Sequence, residues 1–125
     1  MGGSQAWTYL SSIDWLSGGN VTFNTDKLEN ISGSSGSFSN ITLNTPNIKT
    51  ISLNSPNYTG SLSLDGSENY PNINSVNISN SKLSLTLNNI NVISVNASNI
   101  NNSGSSISIT NCPNITTFSC AGSRL

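Results

Sequence analysis

Few residues in this chain can do acid, base or nucleophilic chemistry. Its 125 residues include five acidic and four basic side chains and no His. They are Asp14, Asp26, Glu29, Asp65, Glu68, Lys27, Lys49, Lys82 and Arg124. Glycoside hydrolysis needs two carboxylates facing each other across the scissile bond. The nearest pairs along the chain are Asp65 with Glu68 and Asp26 with Glu29. Both lie in predicted turns beside Gly66 or Lys27, where acidic residues ordinarily cap or hydrate the backbone. A Ser or Cys nucleophile needs a base, and no His is present to supply one. Cys112 and Cys120 without His are too few for a zinc site. They fit a disulfide and two buried thiols in the last coil equally well. Phosphate-cradling loops and Gly/Asp calcium repeats are missing. The expectation is a protein that is not an enzyme and that uses no cofactor and no metal.

The formal net charge is −1. Binding to nucleic acid or to an anionic membrane surface needs clustered Lys and Arg, so neither is expected. No apolar run approaches the length of a membrane span. The opening Met-Gly-Gly-Ser-Gln-Ala-Trp lacks the basic-then-apolar pattern of a signal peptide. Eight Asn-x-Ser/Thr sequons occur, at Asn20, Asn30, Asn40, Asn57, Asn77, Asn96, Asn101 and Asn114. Chance alone yields nearly that many, because 59 of the 125 residues are Asn, Ser or Thr.

Positioning any of these groups requires a fold, and the fold is written as a repeat. Asn20–Ile31 and Asn40–Ile51 share Asn, Thr, Asn, Thr and Ile at matching places, offset by 20 residues. Extending that register gives an apolar frame, L-x-x-L-x-L-x-x-x-x-L. Leu28, Ile31, Gly33 and Phe38 fit it with one small substitution. Three further sets fit it fully: Ile48, Ile51, Leu53 and Tyr58; Ile73, Val76, Ile78 and Leu83; Ile90, Ile93, Val95 and Ile100. Ile115, Phe118, Cys120 and Leu125 close the series, and Leu10, Ile13 and Trp15 form a degenerate first copy. A short alternating strand follows most frames: Val21–Phe23, Ile41–Leu43, Leu62–Leu64, Leu85–Leu87 and Ile107–Ile109. Corners are expected at Pro46-Asn47, Pro71-Asn72, Asn88-Asn89 and Pro113-Asn114, since Pro fixes φ and Asn tolerates left-handed φ. Loops of variable length fall at Asp65–Tyr70 and Asn101–Ser105. The pattern predicts one all-β domain over 1–125, a short solenoid of about six irregular coils with two short strands per coil. Residues 1–27 make its N-terminal cap and degenerate first coil, and 28–125 its repeats. A β-sandwich with coincidental spacing is the competing architecture.

The frame resembles the leucine-rich repeat, whose pattern is LxxLxLxxNxL. The approach to each frame, as in Asn111-Cys-Pro-Asn-Ile-Thr-Thr-Phe118, looks like the repeats of bacterial and phage surface leucine-rich proteins. That resemblance implies a leucine-rich-repeat-like or β-helix-like solenoid. The family's Asn is replaced by Gly36, Pro56, Ser81, Ser98 and Gly122, with Asn54, Asn80 and Asn99 close enough to stand in.

In this register the outward side chains form ladders: Asn30, Thr50, Ser75, Val92 and Thr117; Asp14, Ser32, Ser52, Asn77, Ser94 and Ser119; Ser34, Asn54, Ser79, Asn96 and Ala121. The second strands expose Thr22, Thr42, Ser63, Thr86 and Ser108. The candidate binding face comprises Thr50, Ser52, Asn54, Ser75, Asn77, Ser79, Ser94, Asn96, Thr117 and Ser119, suited to a neutral glycan. Trp7, Tyr9, Leu10 and Trp15 read as an aromatic cap, with Trp7, Tyr9 and Trp15 as the alternative anchor for a partner. The other end is expected to be covered by another subunit or closed by the Cys112–Cys120 region. Together these features predict a structural or adhesive module at a bacteriophage virion surface, serving in decoration, fibre formation or receptor attachment. Its expected partners are copies of itself or other virion proteins. A mature bacterial cell-surface adhesin of the same repeat type is the alternative.

Overall fold

The computed structural model describes residues 3–5, 12–13, 19–33 and 36–124. The aromatic cap or anchor residues Trp7, Tyr9 and Trp15 lie outside them, as do Leu10, Asp14, Ser34 and Leu125. Apolar and polar residues alternate along short β-branched stretches, and these become strands. In chain order they are β1 (Gly3–Gln5), β2 (Ser12–Ile13), β3 (Asn20–Asn24), β4 (Asn30–Gly33), β5 (Asn40–Asn44) and β6 (Thr50–Leu53). There follow β7 (Ser61–Asp65), β8 (Ser75–Asn77), β9 (Ser84–Asn88), β10 (Ser94–Asn96), β11 (Ile107–Thr110) and β12 (Thr117–Ser119).

Every strand pair is parallel. The even-numbered strands build one six-stranded front wall in the order β12-β10-β8-β6-β4-β2. The odd-numbered strands build the back wall as two separate sheets, β1-β3-β5 and β11-β9-β7. The chain is thus an all-β parallel solenoid of about four turns, fewer than the six coils expected. The expected count credited each end with a full coil. At those ends β2 has two residues, and β12 carries an exposed Phe118.

Inward side chains from both walls meet in a single core. One row runs Ile31, Ile51, Val76, Val95 and Phe118 through the front wall. The sequence frame is corrected here. It placed Ile93 in this row, but Ile93 is 45% exposed while Val95 and Ala97 are fully buried. The inward set is Val92, Val95 and Ala97, displaced by two residues. Ile93 stands outside instead, in a column before the strands, its N–H bonded to the Asn74 carbonyl.

Two kinds of corner join the strands. Pro46-Asn47, Pro56-Asn57 and Pro71-Asn72 are β-turns closed by N–H bonds from Ile48, Tyr58 and Ile73 to the carbonyls of Thr45, Ser55 and Tyr70. The Asn residues of these turns are not left-handed, contrary to expectation, and the Pro56-Asn57 corner was not foreseen. Left-handed φ occurs instead at Asn80, Asn89, Asn99 and Asn111, and at Gly36, Gly60, Gly66 and Gly122. Asn89 does what its corner required. Asn80 and Asn99 turn the chain outward rather than laddering inside it, both being exposed. Hydroxyls finish several corners: half-buried Thr25 and buried Ser55 and Ser81 accept the N–H two residues ahead. Thr45 holds the matching place, but its buried Oγ1 has no partner.

Candidate functional site

Outward side chains form the columns that any ligand would meet. On the front wall one column runs Asn30, Thr50, Ser75, Ser94 and Thr117, the next Ser32, Ser52, Asn77, Asn96 and Ser119. All ten residues of the candidate binding face therefore sit on this wall or its exit corner. All three expected ladders change. Val92 leaves the first column for the core, and Ser94 takes its place opposite Ser75. Asn96 moves to the second column, opposite Asn77. The cause is the same two-residue displacement that removed Ile93 from the core row.

This face spends much of its hydrogen-bonding capacity on itself. Asn54 Nδ2 donates to Ser52 Oγ at 3.0 Å, and Ser79 Oγ donates to Asn54 Oδ1 at 3.4 Å. The Ser79 and Ser98 amides donate to Asn77 and Asn96 Oδ1 at 2.9 and 3.0 Å. Ser98 Oγ and Ser119 Oγ lie 2.8 Å apart. Ser79 is buried, and of the ten only Thr117 is exposed.

The back wall differs. Its flanking columns are tied along the solenoid axis: Asn40 to Asn20, Asn44 to Asn24, Asn88 to Asp65, and Thr110 to Asn88. Between them lie two rows of hydroxyls, Thr22 and Thr42 in one back sheet and Ser63, Thr86 and Ser108 in the other. Their side chains have no hydrogen-bond partner among the described residues. Four of the five are exposed, and Thr22 is half-buried. Alternation in the sequence had identified these hydroxyls as outward. It could not show that their neighbours would be tied and they would be left free.

The back wall breaks between β5 and β7, which share no ladder. Tyr70 fills part of the seam, and its phenol donates to the Leu43 carbonyl at 2.6 Å. Burial raises the Tyr70 pKa above its ordinary 10.0, and the Asp65 carboxylate adds to the rise. A shallow cleft of about 390 Å³ opens there, lined by Leu43, Asn44, Thr45, Pro46, Glu68, Asn69 and Tyr70. Glu68 is its one carboxylate. Asp65 accepts from Asn88 at 2.9 Å, while Asp26 and Glu29 form ion pairs with Lys27 and Lys49 at 3.8 and 2.5 Å.

Cys112 and Cys120 are both free. Cys112 is half-buried and Cys120 exposed, so neither the disulfide nor the pair of buried thiols describes them.

Fold and surface together define a parallel β-solenoid with two polar walls, the back one carrying a single carboxylate, Asp65, among the described residues. No protein-family model, curated protein or solved structure matches the chain.

Proposed function

We propose that this chain is a non-enzymatic structural and adhesive module displayed on the outside of a particle, a bacteriophage virion. It would serve there in decoration, as a fibre component or in receptor attachment. We further place its repeats with the leucine-rich surface solenoids that its Asn111–Phe118 segment resembles. The observation that carries the reading is the back wall's two rows of free hydroxyls, beside side chains tied along the solenoid axis, on an almost uncharged surface. Such a wall suits a neutral glycan, whose hydroxyls both donate and accept.

Each net hydrogen bond of this kind contributes only about 0.5–1.5 kcal/mol. A single wall therefore binds weakly, and attachment depends on many copies acting together, as on a particle surface. The test is fractionation of the native source. Mass-spectrometric detection in purified particles supports the proposal. Recovery from cell-envelope fractions, with none in particles, would overturn it in favour of a bacterial surface adhesin.

A further inference from the structure

One carboxylate among the described residues is left unanswered. Asp26 and Glu29 pair with Lys27 and Lys49, and Asp65 accepts from the Asn88 side-chain amide. Glu68 has no hydrogen-bond or ion-pair partner among the described residues. It lines the cleft at the seam where β5 and β7 part. This cleft lies in the middle of the solenoid, on residues 43–46 and 68–70, with described coils on either side. Gly66 makes room for its rim. A Cβ there would lie 2.7 Å from Glu68 Oε1 and 2.9 Å from Asn69 Nδ2.

The free groups of the cleft are chiefly acceptors. Asn44 Nδ2 donates to Asn24 Oδ1 at 2.6 Å, and Asn69 Nδ2 to the Asp65 carbonyl at 2.9 Å. Each of these two side chains keeps an Oδ1 with no partner among the described residues. Thr45 is fully buried, and its Oγ1 has no partner either. The Tyr70 phenol spends its one proton on the Leu43 carbonyl, which leaves the ring as its contribution to the lining. Asp65 stands close enough to Tyr70 to raise its pKa, so a second negative charge lies nearby.

The complement of such a set is a cation that donates and does not accept. A guanidinium fits better than an ammonium. It is planar, can meet both oxygens of one carboxylate with parallel N–H bonds, and stacks on an aromatic face. It is also more weakly hydrated, which matters in a shallow cleft that cannot strip a tightly held water shell. We infer that the seam cleft binds a guanidinium group, with Glu68 as its carboxylate partner and Tyr70 and Pro46 as the surface it lies against. A free guanidino compound and an arginine side chain of a partner protein offer the same chemistry. The inference stands apart from the glycan reading, which concerns the hydroxyl rows and not the gap between the two back sheets.

The test follows the amide signals of Asn44, Thr45, Glu68, Asn69 and Tyr70 by NMR as N-butylguanidinium is added to the 125-residue protein. N-butylurea serves as its neutral isostere and butylammonium as the compact cation. Saturable shifts at these amides are expected with butylguanidinium, at millimolar concentrations. Glu68→Gln keeps the size of an exposed side chain and removes its charge, and should weaken binding about tenfold. Glu29→Gln, outside the cleft, should leave binding unchanged. A capped Gly-Arg-Gly peptide should bind at the same amides. Tighter binding than butylguanidinium supports an arginine side chain as the source, and equal or weaker binding a free compound. Flat titrations, equal shifts with butylurea, butylammonium binding as tightly as butylguanidinium, or undiminished binding by Glu68→Gln would each overturn the inference.

Discussion

Val95 and Ile93 stand two residues apart on the same stretch of chain, and their burial separates them. Val95→Ala removes buried methyl groups and leaves a cavity, costing roughly 2 kcal/mol. Ile93→Ala changes an exposed side chain and should stay within about 0.5 kcal/mol. Urea denaturation of both variants checks the register directly. Thr45 gives a prediction of opposite sign. Its buried hydroxyl lacks a partner, so Thr45→Val removes a desolvation penalty and should raise stability by about 1 kcal/mol. Ser55→Ala should lower it, because Ser55 Oγ donates to the Gly36 carbonyl and accepts from the Asn57 amide. Ile93 misleads in the sequence for a physical reason. In Val92-Ile93-Ser94-Val95-Asn96-Ala97 an apolar residue falls on either side of the chain bend. Ile looks a better core residue than Ala, but the bend before β10 turns Val92 inward and Ile93 out.

The strands themselves were legible, since strict alternation at Val21–Phe23, Ile41–Leu43, Leu62–Leu64, Leu85–Leu87 and Ile107–Ile109 has one half-buried solution. The seam between β5 and β7 was not, because nothing in either strand's pattern distinguishes it from β3 or β9. Only the fold shows that the Asp65–Tyr70 loop returns across the gap. There the Tyr70 phenol donates to the Leu43 carbonyl, and the Ser61 amide to Asn40 Oδ1, in place of a ladder. Tyr70→Phe should cost about 1 kcal/mol at neutral pH. The folded pKa of Tyr70 is raised, so the folded state holds this proton more tightly. Its contribution is fully present below the ordinary 10.0 and is lost as pH climbs through the raised value. Denaturant titrations above neutral pH should therefore show wild type falling towards the Tyr70→Phe variant.

At the scale of the molecule, a chain with 34% hydrophobic residues folds because stacked coils share one core and only alternate positions need to be apolar. The walls come from the other half of that alternation. Thr86→Lys should leave stability within about 0.5 kcal/mol, and on the proposed attachment role it should abolish binding to a surface coated with neutral glycan. The front face was legible as a set of residues, but not which wall keeps its hydroxyls free, because that depends on side-chain bonds between coils. Methyl and amide proximities measured by NMR test the winding most directly. Cross-peaks should connect Ile51 to Val76, Val76 to Val95 and Val95 to Phe118, with none from Ile93 to Val76. Contact between Ile93 and Val76, or no contact along that row, would contradict the solenoid register on which both walls depend.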